Sequence, residues 1–269
     1  MKWNNKLTNC IRMFSELSNI IEIDLTIFDL SQITVMNFMF ENCSNLEYIK
    51  FNNSNGNKLA ITDISSMFKN CISLKTLDLS NLDTSHIISV MNTFINCYSL
   101  VSLNLNGFNT SSVINFVGMF YNCISLISLN LSSFDTSNGL IMSSMLFNCS
   151  SLTSLNLSNF NTSNVQTMAG MFFQCSNLTS LDLSNFDTSE VLYLDNIFLN
   201  CTGLISLDLS NFNTTNIESM TDIFNNCNNL QFINYIGTNN INESSLFKSI
   251  PENITYCIKD ENKIPNYIQ

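Results

Sequence analysis

The chain has two prolines, Pro251 and Pro265, a single histidine, His86, and 7 glycines among 269 residues. One histidine allows no His-based catalytic triad, and no glycine-rich loop that could cradle phosphate appears. The chain is therefore read as non-enzymatic. Charged residues are scarce at 12%, and 10 basic against 21 acidic residues leave a formal net charge of −11. Nucleic acids and anionic membranes are held by basic faces, so neither is expected as the main partner. No apolar run of about 18 residues is present, so no membrane-spanning helix is expected. The first residues, Met1-Lys2-Trp3-Asn4-Asn5-Lys6, lack the apolar stretch of a secretion signal. The chain is then either intracellular or a piece of a longer precursor.

Hydrophobic residues make up 45% of the sequence, enough to bury a large core. They follow a strict period. Cysteines stand at 43, 71, 97, 123, 149, 175, 201 and 227, in one step of 28 and then six of 26. Three residues after each comes leucine, from Leu46 through Leu126 to Leu230. Three before each comes phenylalanine, with Leu146 the one exception. Pairs such as Leu77/Leu79 and Leu181/Leu183 follow at the sixth and eighth positions. An earlier unit, with Leu17 in place of Cys, carries Phe14, Ile20, Ile23 and Leu25 at the matching offsets. The only register change is the segment 52–58, which adds two residues.

Within one unit, Leu178-Thr179-Ser180-Leu181-Asp182-Leu183 alternates as a half-buried strand does. A polar turn holding Phe186 comes next. Val191, Leu194, Ile197, Phe198 and Cys201 then recur at three- and four-residue spacing, which predicts the buried stripe of a short helix. Asp187, Thr188 and Ser189 before it are N-cap types. A unit of this size cannot bury its apolar side alone, so the units are expected to stack. The expected fold is an α/β solenoid. It is a right-handed, leucine-rich-repeat-like array of about nine strand–turn–short-helix units with one parallel sheet, roughly 40 Å long at about 4.8 Å per unit. Residues 1–236 are assigned to the solenoid, with Trp3 and Leu7 closing its first rung, and 237–269 to a C-terminal cap and tail.

The unit from Ser176 to Ser189, together with the Met-Phe-x-x-Cys element at Met67-Phe68…Cys71, Met119-Phe120…Cys123 and Met171-Phe172…Cys175, resembles the 26-residue surface-protein repeat of the BspA-type leucine-rich-repeat family. The resemblance covers about residues 7 to 236. It implies a surface-exposed or secreted binding and adhesion protein that recognises protein or glycan. An intracellular protein–protein interaction scaffold is the alternative. The resemblance implies no cofactor and names no ligand.

The cysteine ladder reads as core. Each unit supplies one Cys to the last apolar position of its stripe, whereas zinc motifs need close Cys or Cys/His pairs. Parallel Cβ vectors also aim stacked sulfurs poorly for disulfides. Cys10 and Cys257 lie off the ladder, and the sequence leaves them reactive, paired or neither. The outward side of the strands carries a second ladder that includes Asp78, Asn104, Asn130, Asn156, Asp182 and Asp208. Ser128, Ser154 and Ser180 stand two residues before three of these. This face is the candidate binding surface, its other reading being a solvated face of stacked amides. It lacks Trp, Tyr and Arg anchors, so affinity is expected to come from multivalent attachment or self-association. Asp83, Asp135 and Asp187 with their Thr-Ser neighbours offer oxygen ligands for calcium. The alternate units carry Asn109, Asn161 and Asn213, too little charge for a strong site, and helix capping accounts for the residues. The sequons at Asn109, Asn161, Asn213 and Asn253 follow from an Asn- and Ser-rich composition.

Overall fold

The computed structural model describes residues 8–26, 28, 32–51, 61–235, 250 and 254–258. The inserted segment 52–58, Trp3 and Leu7, and most of the C-terminal segment lie outside them.

The first member of the repeating apolar pair lies in a short strand in every unit. In chain order these are β1 (Glu22–Asp24), β2 (Tyr48–Lys50), β3 (Thr76–Asp78), β4 (Ser102–Asn104), β5 (Ser128–Asn130), β6 (Ser154–Asn156), β7 (Ser180–Leu181), β8 (Ser206–Leu209) and β9 (Phe232–Tyr235). All pairings are parallel, and equivalent residues align, as in Leu77 with Leu103 and Leu129 with Leu155. The chain is thus a parallel β-solenoid. A tenth strand, β10 (Thr255–Ile258), pairs in parallel with β9 in the segment expected to form the cap.

The expectation of one continuous sheet needs correction. Strand pairing joins β1 to β2, β3 to β4, β5 to β6, and β7 through β10 in sequence. The break between β2 and β3 falls where two residues are inserted. Nothing in the repeat explains the other two breaks.

The expected helices are absent among the described residues. The segment before each cysteine is a run of tight turns, and its backbone shows why. Thr93, Ile95 and Cys97 donate to the carbonyls three residues back, at Val90, Asn92 and Phe94. The intervening Asn92, Phe94 and Asn96 donate instead to Val117, Met119 and Tyr121 of the next rung. An α-helix would keep all of these bonds within the segment. Here alternate N–H groups stitch the rungs together, so the segment behaves as a second interface rather than a self-contained rod. The pattern needs a left-handed residue twice per unit, and Asn92 and Asn96 supply it with φ of 56° and 62°. Gly118, at the position of Asn92 in the next unit, has φ of 59°. Asn tolerates this region better than most residues because its short amide bonds locally.

The interior is continuous. Phe40, Phe68, Phe94 and Phe120 stack face on face with centroids 5.4–5.6 Å apart, and Phe172, Phe198 and Phe224 continue at 5.7–5.8 Å. Each is essentially fully buried. Burial of one such ring stabilises by roughly 1.5–3 kcal/mol, and the stacked geometry adds to that.

Candidate functional site

The rungs turn on aspartate and asparagine. At the end of each strand the side-chain oxygen accepts the N–H two residues on: Asp78 from Ser80, Asn130 from Ser132, Asn156 from Ser158, Asp182 from Ser184 and Asp208 from Ser210, all at 2.8–3.0 Å. Asn104 does the same for Asn106 at 3.1 Å. A second set follows one corner later, where Asp135, Asn161 and Asp187 accept from Ser137, Ser163 and Ser189. A third includes Asn115, which accepts from Val117. These are Asx turns, which tighten a corner without glycine or proline. The residues expected to cap helices therefore form corners instead.

Other amides sew one rung to the next. Asn159, Asn185 and Asn211 donate to the carbonyls of Ser132, Ser158 and Ser184. The asparagine before each cysteine forms a further ladder: Asn70, Asn96, Asn122 and Asn148 each donate to the amide oxygen of the one before, at 2.7–2.8 Å. Gln174 interrupts this row, which resumes from Asn226 to Asn200. Sequence reasoning missed this ladder, although asparagine at a fixed offset from cysteine was its visible signal.

The candidate binding residues line up along one side of the solenoid. Asp78, Asn130, Asn156, Asp182 and Asp208 are exposed and Asn104 is partly covered. Ser128, Ser154 and Ser180 are exposed at the starts of their strands. One side-chain oxygen of each Asp or Asn is held by its turn, and in some the second polar atom reaches an adjacent rung, as Asn130 donates to Asn106 at 3.3 Å and Asp208 accepts from Asn234 at 3.0 Å. The N–H and hydroxyl of Ser184 hold the Asp182 carboxyl below the usual carboxylate range. The hydroxyl and N–H of Ser210 do the same for Asp208. Asp78, Asp182 and Asp208 are anionic at neutral pH, and the three asparagines between them are uncharged.

The cysteine ladder is buried and its thiols are free. Each donates to a carbonyl of the rung before, as Cys149 does to Phe120 and Cys175 to Leu146, both at 3.2 Å. Burial pushes the Cys149 thiol up to about 12 and Cys123 and Cys175 well above their ordinary value. These thiols are neutral core groups rather than nucleophiles. Cys10 is also buried and free, in the core position that Met36 fills one rung later. The Cys257 side chain lies outside the described residues. Among the described residues, no group of three His, Cys, Asp or Glu side chains could hold a metal ion, and no helix is long and apolar enough to cross a membrane. An open cleft of about 300 Å³ is lined by Thr26, Ile49, Lys50, Phe51 and Asp78.

Residues 8–126, 44–154 and 125–239 match, in overlapping passes, the family described as "Mycoplasma protein of unknown function, DUF285", and the chain belongs to that family. No curated protein matches it. Among solved structures it is similar to a leucine-rich repeat protein from Bacteroides ovatus, at 19% identity over 84% of this chain and 57% of that one, with a TM-score of 0.47. It is also similar to the T. pallidum leucine-rich repeat protein, at 21% identity over 66% of this chain and 74% of the other, with a TM-score of 0.41. A leucine-rich repeat protein of Leptospira interrogans aligns at 16% identity over 85% and 62%, with a TM-score of 0.34. The chain spans 57% of the length of the Bacteroides protein.

Proposed function

We propose that this chain is a non-enzymatic binding and adhesion module of the BspA type, displayed on a cell surface, that docks a protein through the strand side of the solenoid. The observation that carries the reading is the exposed row from Asp78 to Asp208, whose side chains are pre-ordered by Asx turns. Side chains held in place before binding lose little rotamer freedom when a partner arrives. A repeated row of this kind also offers many equivalent weak contacts, which multivalent attachment turns into useful avidity. Residues 237–269 serve in this reading as the end cap of the solenoid.

The test has two arms. A membrane-impermeable amine reagent applied to intact cells is expected to label the exposed Lys50 and Lys75 of the native protein. The purified chain, adsorbed on beads, is expected to bind extracellular-matrix proteins in solid phase, and Asn130→Arg with Asn156→Arg to reduce that binding at least tenfold without changing the fold. Failure of the reagent to label intact cells would overturn the location. Equal binding by the double variant would overturn the face.

A further inference from the structure

The two ends of the apolar interior are finished differently. At the C-terminal end Phe224, Cys227, Leu230 and Tyr235 are buried, and Ile250 and Ile254 from the segment beyond pack against the core. At the N-terminal end the first rung is left uncovered. Met13 is 37% exposed and Leu17 36%, whereas Met39 and Cys43, their counterparts one rung on, are wholly buried. Phe14 and Ile20 are only partly buried where Phe40 and Leu46 are fully so. Phe14 also continues the stack of core rings, 5.6 Å from Phe40, and among the described residues no ring carries the stack beyond it.

The polar ladder ends at the same place. Asn70 donates to Asn42, and Asn42 to Glu16 at 2.8 Å. Each asparagine of the ladder accepts from the rung after it and donates to the rung before, but a carboxylate only accepts. With Glu16 in the first rung, the ladder has no amide left to offer outward and calls for a donor instead. Glu16 is exposed, and the described cations are committed elsewhere: Arg12 and Lys69 to Glu41, Lys50 to Glu22, Lys75 to Glu47.

The residues that precede this rung, Met1-Lys2-Trp3-Asn4-Asn5-Lys6-Leu7, hold the chain's only tryptophan, two lysines and no acid. They lead into Thr8, whose carbonyl accepts the N–H of Thr34 at 3.2 Å, and Asn9, which pairs with Val35. From that anchor seven extended residues reach at most about 25 Å, which keeps them at their own end of the solenoid. We propose that residues 1–7 close over the first rung, setting Trp3 and Leu7 on Met13, Phe14 and Leu17 and a lysine ammonium on Glu16. Tethering favours this occupant, because a segment already held beside the patch loses none of the translational freedom that a separate partner gives up. Chemistry favours it too. Its lysines are the donors that Glu16 lacks, and the Trp3 ring extends the column that Phe14 leads out of the core. A solenoid needs such covers where its last apolar surface would otherwise meet water. The proposal uses neither the strand side nor its partner and stands independently of the binding reading.

Trp3 is the only tryptophan, so the fluorescence of the full chain, excited beyond the absorption of tyrosine, reports on this segment alone. The native chain is expected to emit well to the blue of the urea-unfolded chain and to be quenched by acrylamide at least threefold more weakly. Leu17→Lys, at a position already partly exposed, is expected to shift the native emission to the red and at least double the quenching, with the circular dichroism unchanged. Ile205→Lys changes an isoleucine that is 44% exposed seven rungs away, about 34 Å along the solenoid and out of reach, and is expected to change nothing. Glu16→Gln keeps an acceptor for Asn42 but removes the charge. It is expected to raise the quenching at low ionic strength and to abolish its dependence on salt. Native emission and quenching equal to those in urea overturn the cap. A shielded Trp3 that responds equally to Leu17→Lys and Ile205→Lys overturns its place on the first rung. Equal quenching of the parent and Glu16→Gln at low ionic strength overturns the charge contact.

Discussion

The hydroxyl of Thr136 donates to the carbonyl of Asn161 at 2.9 Å and accepts the N–H of the same residue at 2.8 Å. Thr162 bonds Asp187 in the same double fashion one rung on, and Thr188 does so with Asn213. These threonines are fully buried. Each joins adjacent rungs at a corner where the backbone makes no such bond, which explains why Thr recurs there among exposed Asp, Asn and Ser.

Thr136→Val keeps the shape of the side chain but removes both bonds to the partly buried N–H and carbonyl of Asn161. The expected cost is about 1–3 kcal/mol, with Thr136→Ser costing less. Urea denaturation of the two variants checks it, and a Val variant as stable as the parent would contradict the role of the staple.

The inside and the outside of the solenoid should respond very differently to truncation. Phe172 stacks on Phe198 in the core, and Phe172→Ala is expected to cost about 3–5 kcal/mol. Asn156→Ala loses one exposed Asx bond to Ser158 and is expected to cost about 0.5–1 kcal/mol. Comparable losses in thermal melts would mean that the assignment of faces is wrong.

At Asn148 the backbone has φ of 55°, and the side chain donates to Asn122. Asn148→Ala removes the ladder bond and adds left-handed strain, for about 1–2 kcal/mol. Asn148→Gly removes the bond but not the conformational freedom, so it should be the milder change. The order of the two melting temperatures decides the point.

Two pH limits follow from the titrating groups. A Cys149 thiol raised from 9.0 to about 12 favours the folded state fully below pH 9, and that contribution fades as pH climbs from 9 towards 12. Asp182 and Asp208, lowered from 3.8, contribute above that value and lose their contribution as pH falls below it. Urea midpoints at about pH 3, 7 and 10.5 are expected to be highest at 7. Iodoacetamide at pH 8 is expected to leave the ladder thiols unmodified until the chain is unfolded.

The repeat, the strand positions and the core were legible because burial imposes its period directly on the sequence. Leu181, Phe198 and Cys201 stand inside as their spacing implied. The turn segment was misread for a physical reason. Apolar residues three and four apart mark one face of a helix, but a run of tight turns laid against its neighbours buries the same positions. Asn92 and Asn96 carried the contrary signal, since two left-handed residues four apart in every unit do not fit a helix.

The sequence by itself determined that 26-residue units stack in register around a shared apolar interior. That follows from one unit being unable to hide its own hydrophobic side. Only the tertiary structure decided where the backbone hydrogen bonds go, because an N–H that can bond within its segment or to the next rung chooses by the geometry of its neighbour. The same holds for the surface: which carboxylates share a side depends on how each rung turns before the next is laid upon it.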